Sequence, residues 1–322
     1  MFSEPHHRQM AEQIDRIVTQ VIRHDRRVPP GLAVLVNPDS DYVLSNSNRI
    51  AFAMNYEARR RHWTRTGMAN EIYLVDDIDH PDMPDHPVIM VTNAFVLSDA
   101  QVEAIHRKAE KTGATVIWLI VPGLVGKDQF DLKRVSDIVG MPIKAMNVET
   151  QPTIRMIPGD HPWSSITLPT GARLDTFGVG PRGKDDSGAY AFGPQFYADV
   201  ETGGEISVLG LNETIFRPGL VVREHAGRKT VYCSAPYVHH ALLHRIGLDS
   251  GAHVYLEPGH VLHASRDMIL LNAARDEQVT LRLPGGASQS LRDLFTDEQL
   301  AVSTDGVPFH VQRHETRLFQ IV

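Results

Sequence analysis

The sequence predicts an α/β protein: a doubly wound, mostly parallel sheet followed by a small all-β sandwich. Three observations carry this. Short apolar runs alternate with stretches of helical periodicity through the first 140 residues. The same alternation returns after a Pro-, Gly- and Thr-rich segment at 142–203. From His253 onward the chain reads as short strands divided by turns. Alternation of this kind means a parallel sheet with helices on both faces, whereas regularly spaced short strands mean a sandwich or barrel.

The elements follow in order. Residues 6–24 carry Met10, Ile14, Ile17, Val18, Val21 and Ile22 on one stripe, the spacing of an amphipathic helix, which Pro29, Pro30 and Gly31 end. LAVLV (32–36) reads as a buried strand. A helix is expected around 46–66, with Arg59, Arg60 and Arg61 on its wet side and Gly67 as its stop. EIYLV (71–75) is a second strand, and the Asp- and Pro-dense 76–87 is a turn region. VIMVT (88–92) is a third strand. Ser98 and Gln101 then form a capping box for a helix whose inner face is Val102, Ile105 and Ala109 and whose C′ residue is Gly113. TVIWLIV (115–121) is a buried strand, and a helix near 130–139 carries Leu132, Val135, Ile138 and Val139 before Gly140. EISVLGL (205–211) and TVYCS (230–234) read as strands, and 236–247 as a closing helix. The domain division expected is 1–250, with a hairpin and loop insertion at about 142–203, then 251–322.

Composition narrows the function classes. In 322 residues, 42% are apolar and 22% charged, which excludes disorder as the main state. No run of 18 apolar residues occurs, so no membrane is expected as a partner. The first twenty residues show no apolar leader core, which implies a cytoplasmic location. A net charge of −7 argues against nucleic acid as a partner. The single cysteine, Cys233, excludes an internal disulfide and a multi-cysteine zinc site, and its place inside a strand marks it as a core residue.

Candidate chemistry lies beyond the carboxyl ends of the strands, where doubly wound sheets bind ligands. Asp39 and Ser40 follow the first strand, Asn93 the third and Gly123 the fourth, and together they are the candidate substrate-binding residues. The competing reading, that they cap helices and make turns, is preferred, because these are ordinary turn residues. No G-x-S-x-G or G-x-C-x-G elbow follows any of these strands, so no catalytic residue is assigned. Among the 17 histidines, His240 and His244 stand at i, i+4 and are the candidate metal pair. They lack a carboxylate between them, so no metal and no cofactor is assigned, and a histidine cluster extending through His239, His253, His260 and His263 is read as solvated or interfacial. Asn212–Glu213 at a strand end resembles a glycosidase acid but has no second carboxylate and no barrel, and is read as coincidence. GVGPRG (178–183) is not a dinucleotide loop.

The segments GLAVLVNPDSDYVLS (31–45), HPVIMVTNAFVLSDAQVEAIHRKAEKTGATVIWLIVPGLVG (86–126), SDIVGM (136–141), ISVLGL (206–211), KTVYCSAPYVHHALLHRI (229–246), GAHVYLEPGHVLHAS (251–265) and HETRLFQIV (314–322) together carry a resemblance. In order and spacing they resemble the C-terminal portion of multidomain glycoside hydrolases related to family 42 β-galactosidases. That portion is a flavodoxin-like domain of the class I glutamine amidotransferase type, known as the β-galactosidase trimerisation domain, and a small β-sandwich. The resemblance implies a catalytic TIM barrel upstream, which this sequence lacks, and an amidotransferase cysteine at a strand end, which is absent too.

Three functions follow as expectations. The first is a non-catalytic assembly module forming a homo-oligomer, a trimer being the family's form, or docking on a separate TIM-barrel glycosidase subunit. The second is a carbohydrate-active hydrolase of the glycoside hydrolase type, with its own site at the strand ends. The third is a carbohydrate-binding protein, which would need exposed aromatics, and the β module offers only Tyr255, Phe295, Phe309 and Phe319. The reading leans away from catalysis by this chain alone.

Overall fold

The computed structural model describes residues 5–25, 27–44, 50, 53–126, 129–150, 152–166, 174–175, 193–285 and 290–322. Two compact units are present. One comprises 30–63 and 71–252; the other comprises 1–29, 64–70 and 253–322. The N-terminal helix, first in sequence, thus belongs with the C-terminal strands, which differs from the expected division into 1–250 and 251–322. Its buried Ile17 packs on Met268 and Leu294, an attachment that helical periodicity cannot reveal.

The larger unit is built on strands β1 (Leu32–Val36), β2 (Asn70–Leu74), β3 (Val88–Thr92), β4 (Thr115–Leu119), β5 (Ile143–Met146), β6 (Thr153–Met156), β7 (Leu174–Asp175), β8 (Gln195–Ala198), β9 (Ile206–Asn212), β10 (Arg217–His225) and β11 (Arg228–Cys233). Nine of them form one sheet in the order β2-β1-β3-β4-β11-β10-β9-β6-β7, and β5 pairs with β8. β1, β3, β4 and β11 run parallel. From β11 outward every pairing, through β10, β9 and β6 to β7, is antiparallel. The expected parallel sheet is present as the block β1-β3-β4-β11, and an antiparallel extension continues it on one side. All five residues of β3 and of β4 are buried, so both faces of the parallel block are covered, as parallel strands require.

Helix α1 (Pro5–Val21) opens the chain. The region expected to be one helix from 46 to 66 is instead, within the described residues, a π-helical turn at Ala53–Glu57, the short α2 (Ala58–Arg61) and a 3₁₀ turn at Trp63–Arg65. Trp63, Thr64 and Thr66 are poorer helix formers, and Trp63 is fully sunk in the core, which outweighs the favourable helix propensity of the arginines. α3 (Asp99–Thr112) has the Ser98–Gln101 capping box and a left-handed Gly113. α4 (Leu132–Val139) is capped by Asp131 and stopped by Gly140. α5 (His240–Asp249) is capped by His239. No described helix is long and apolar enough to cross a membrane.

β10, the longest of the described strands, gave no strand signal because Pro218 and Gly219 interrupt its pattern. The glycine is sterically required. A Cβ at Gly219 would lie 2.5 Å from Ile154 Cδ1, 2.8 Å from Ser234 Oγ and 3.0 Å from the Asn212 nitrogen. We expect Gly219→Ala to lose about 1–3 kcal/mol by overpacking. Gly203→Ala, whose Cβ would meet open space, is the control; urea denaturation of the two variants checks this.

The smaller unit holds β12 (Val261–Ala264), β13 (Met268–Asn272), β14 (Glu277–Leu281), β15 (Ser290–Asp293), β16 (Gln299–Ala301), β17 (Val307–Val311) and β18 (Thr316–Ile321). They form a five-stranded sheet, β12-β13-β18-β15-β16, and the pair β14-β17. Both contribute to one core with Leu262, Ile269, Leu271, Val279, Leu281, Leu291, Phe309 and Phe319. Residues 64–70 are stitched to it by backbone: Tyr255 donates to the Gly67 carbonyl at 2.8 Å and Gly259 to Arg65 at 2.8 Å. Gly67 has φ +74°, and a Cβ there would overlap the Leu256 carbonyl oxygen at 1.9 Å, so no other residue fits.

One buried charge anchors this unit. The Asp293 carboxylate is fully buried, accepts the Phe295 N–H at 2.8 Å and pairs with Arg317. Arg317 also reaches Glu298 at 3.0 Å and Glu315 at 3.5 Å. Arg317→Met strands a buried carboxylate, with an expected loss of about 3–5 kcal/mol. An unchanged denaturation midpoint in that variant contradicts this account.

Candidate functional site

The carboxyl edge of the parallel block is where the chain leaves β1, β3, β4 and β11. After β1, Asn37 caps a 3₁₀ turn over Pro38–Val43, its Oδ1 accepting the Asp39 N–H at 3.1 Å. Asn37 also donates through Nδ2 to the Val96 carbonyl at 2.6 Å, and the buried Ser40 Oγ accepts the Val96 N–H at 3.1 Å. After β3, Asn93 sits at φ +47° and donates through Nδ2 to Asp41 Oδ1 at 2.8 Å. After β4, Gly123 donates to the Ala94 carbonyl at 2.7 Å, and a Cβ there would meet Ile138 Cδ1 at 2.5 Å. Ser40, Asn93 and Gly123 therefore converge on one loop, 93–97, as its fastenings. Asp39 points its side chain to solvent. Three buried polar atoms at this edge, Thr92 Oγ1, Asn93 Oδ1 and Ser234 Oγ, have no hydrogen-bond partner among the described residues.

Ile120, directly after β4, has φ +58° and is fully buried. A β-branched residue in the left-handed region is strained by about 1–3 kcal/mol. That strand-end position is where a nucleophile elbow exposes its reactive atom; here the side chain is an inert hydrocarbon. Cys233 ends β11, and burial pushes its thiol up to about 12, so it holds no thiolate at neutral pH. Glu213 is held by Arg155 at 2.8 Å and Thr153 at 3.1 Å beside the antiparallel β9.

Beyond β11 the loop 234–239 leads into α5 and brings up a group of histidines. The ring nitrogens of His62, His239 and His240 lie within 4.8 Å of one another. His62 stacks on Tyr237 with centroids 4.2 Å apart, and His239 and His240 stand 4.1 Å apart. His62 Nδ1 accepts the His240 N–H at 3.3 Å, and His239 Nδ1 accepts the Ala241 N–H at 3.2 Å. Each bond is long, and the two together are worth about 1–3 kcal/mol. Burial drives the His239 ring down to about 4, so it is neutral at pH 7. His244, the expected partner of His240, is buried one turn further along α5 and is not in this group. The other histidines of the expected cluster fall in the smaller unit: His253 meets the Arg282 carbonyl at 3.0 Å, and His260 is paired with Glu277. His62 lies 178 positions from His240 and carries no local motif, so its place in the group was invisible in the sequence. The GVGPRG run lies outside the described residues. In the β module Tyr255, Phe309 and Phe319 are buried and only Phe295 is exposed, so no row of aromatics is offered to a sugar.

No protein-family model matches the chain, and no curated protein is similar to it in sequence. A solved structure is similar to it. The β-galactosidase from the psychrophilic Marinomonas ef1 superposes on 98% of this chain with a TM-score of 0.51 at 10% identity. The chain spans 42% of the length of that protein. The α-amylase from Geobacillus thermoleovorans complexed with acarbose covers 25% of this chain and 22% of its own, with a TM-score of 0.17 at 14% identity, which carries no argument. The fold is thus related to part of a glycoside hydrolase.

A second buried imidazole shares in the pH response with His239. His86 Nδ1 accepts the Gly31 N–H at 3.0 Å and its Nε2 lies 3.0 Å from the Tyr73 hydroxyl. Burial, and then the nearby Lys108 ammonium, hold its pKa down at about 4, with Asp85 acting weakly the other way. Above pH 6.5 the ring is neutral folded or unfolded and contributes nothing. As pH falls from 6.5 towards 4 the unfolded chain takes up a proton that the folded chain refuses, so stability falls. This ring alone is expected to cost about 2 kcal/mol between pH 7.5 and pH 5, and His239 adds a loss of the same sign. His86→Gln should show a smaller drop over the same interval in urea titrations.

Proposed function

We propose that this chain is a non-catalytic assembly module of a β-galactosidase-type glycoside hydrolase system. The observation that carries the reading is the superposition: nearly the whole chain matches, yet it accounts for less than half of the β-galactosidase. On this reading the larger unit is the amidotransferase-like domain, its β2-β1-β3-β4-β11 segment following the flavodoxin strand order, and the smaller unit is the accompanying sandwich. The strand-end chemistry supports the same view. Ile120 occupies the strained position, Cys233 is sealed, and Ser40, Asn93 and Gly123 are spent on loop fastening.

An assembly module works by burying surface on a neighbour, either a second copy of itself or a barrel-bearing glycosidase subunit. A lasting interface of that kind covers about 2,000 Å² or more. Tyr42 and Phe130, 87% and 74% exposed, sit on the loops leaving β1 and β4 and offer apolar surface at that edge. Size-exclusion chromatography with light scattering at micromolar concentration should give a multiple of the chain mass, or a stoichiometric complex with a barrel glycosidase. Aryl-β-galactosides should not be turned over by the chain alone. A strict monomer that ignores such a subunit, or turnover by the purified chain, overturns the proposal.

A further inference from the structure

We propose that His62, His239 and His240 form a binding site for a divalent transition-metal cation of the zinc class. Three imidazoles converge from two places in the chain, one following α2 and two at the start of α5, 178 positions apart. Their nitrogens lie within 4.8 Å of one another. Zinc–nitrogen bonds of about 2.0–2.1 Å in a tetrahedron put ligand atoms about 3.3 Å apart, so small side-chain rotations close the site. His62 and His239 are buried and His240 is half-buried, which leaves the group open on one side. The place is one where open α/β sheets hold ligands, outside the carboxyl end of a parallel strand.

The donor set selects the cation. It contains three imidazoles and no carboxylate or thiolate. Nitrogen-only sites suit Zn²⁺, Co²⁺, Ni²⁺ and Cu²⁺, whereas Mg²⁺ and Ca²⁺ demand oxygen. Three protein ligands leave a coordination position for water. One structural cost opposes binding. A neutral imidazole that binds through one nitrogen carries its proton on the other, and in His62 and His239 the Nδ1 atoms face backbone N–H donors. Loading the site therefore requires these rings to turn and give up both bonds. The two bonds are long and weak, and each ring that gives one up gains a metal–nitrogen bond in its place. Metal binding and the capping of α5 thus compete.

The competition supplies the test. The tag-free full chain, cleared with chelator, is titrated with Zn²⁺ against a chromophoric competitor and with Co²⁺ by visible absorption. Saturation at about one equivalent, with the absorption of a low-coordinate Co²⁺ site, is expected. His239→Asn keeps a side-chain oxygen able to cap α5 but removes a ligand. It should weaken Zn²⁺ binding by more than the roughly 10–100-fold cost of losing an outer-sphere partner. Its metal-free melting temperature should stay near that of the parent, while the Zn²⁺-induced rise in melting temperature disappears. His62→Gln should lose the metal equally, and if it fails to fold, His239→Asn decides alone. No saturable binding by the parent, or parent-like affinity in His239→Asn, overturns the site.

Discussion

Strands β1, β3 and β4 have no wet face, and most of the larger unit follows from that constraint. Their residues are almost entirely buried, from Leu32 to Leu119, as is the carboxyl half of β11 from Val231 to Cys233, whereas Arg228, Lys229 and Thr230 at its start are half-buried. Polar side chains cannot be placed along such strands without losing their solvation, so they collect where the chain leaves the sheet. The carboxyl edge consequently carries Asn37, Ser40, Asn93, Ser234 and the histidines of the 234–240 segment, with few polar residues between them and the opposite edge. A ligand site and a set of loop fastenings compete for the same limited polar inventory.

In the loops after β1, β3 and β4 the fastenings have won. Asn37 and Ser40 spend three hydrogen bonds on Asp39 and Val96, and Asn93 spends its amide on Asp41. Left-handed backbone at Asn93 and Ile120 turns the chain sharply off two adjacent strands. In an enzyme of similar layout such strain displays a reactive group. At Ile120 it is offset by complete burial of the side chain, so the bend persists without chemistry to repay it. That residue is the strongest physical support for the proposed assembly role.

What the sequence revealed and what it hid divide along the range of the interactions. The capping box of α3, the Gly140 stop of α4 and the buried runs of β1, β3 and β4 were legible because each is set by residues within one or two turns. β10 was not, since Gly219 is dictated by Ile154, Ser234 and Asn212 from other strands. The broken helix around Ala53–Arg65 was hidden for the same reason, as was β15, which is held between the neighbouring β16 and the chain-terminal β18. Asp39, Ser40, Asn93 and Gly123 stood out by composition alone, and composition cannot separate a cap from a ligand. The pairing of His240 with His244 failed to find His62 because periodicity along one helix says nothing about a residue arriving from another element.

The abundance of histidine acquires a common explanation from these contacts. His62, His80, His86, His161, His239 and His260 all accept a backbone N–H on Nδ1, at 3.0–3.3 Å. Such a bond needs the Nδ1 lone pair and therefore places the proton on Nε2. A neutral histidine so held is a two-ended linker, accepting from the main chain at one nitrogen and donating from the other. In His86, His161 and His260 the second end meets Tyr73, Glu224 and Glu277, which closes each link locally. His239 departs from this pattern, because the rings around it are those of His62 and His240, at 5.3 and 4.1 Å. An imidazole surrounded by imidazoles gains little as a linker and much as a ligand, which singles this group out from the other histidine contacts described.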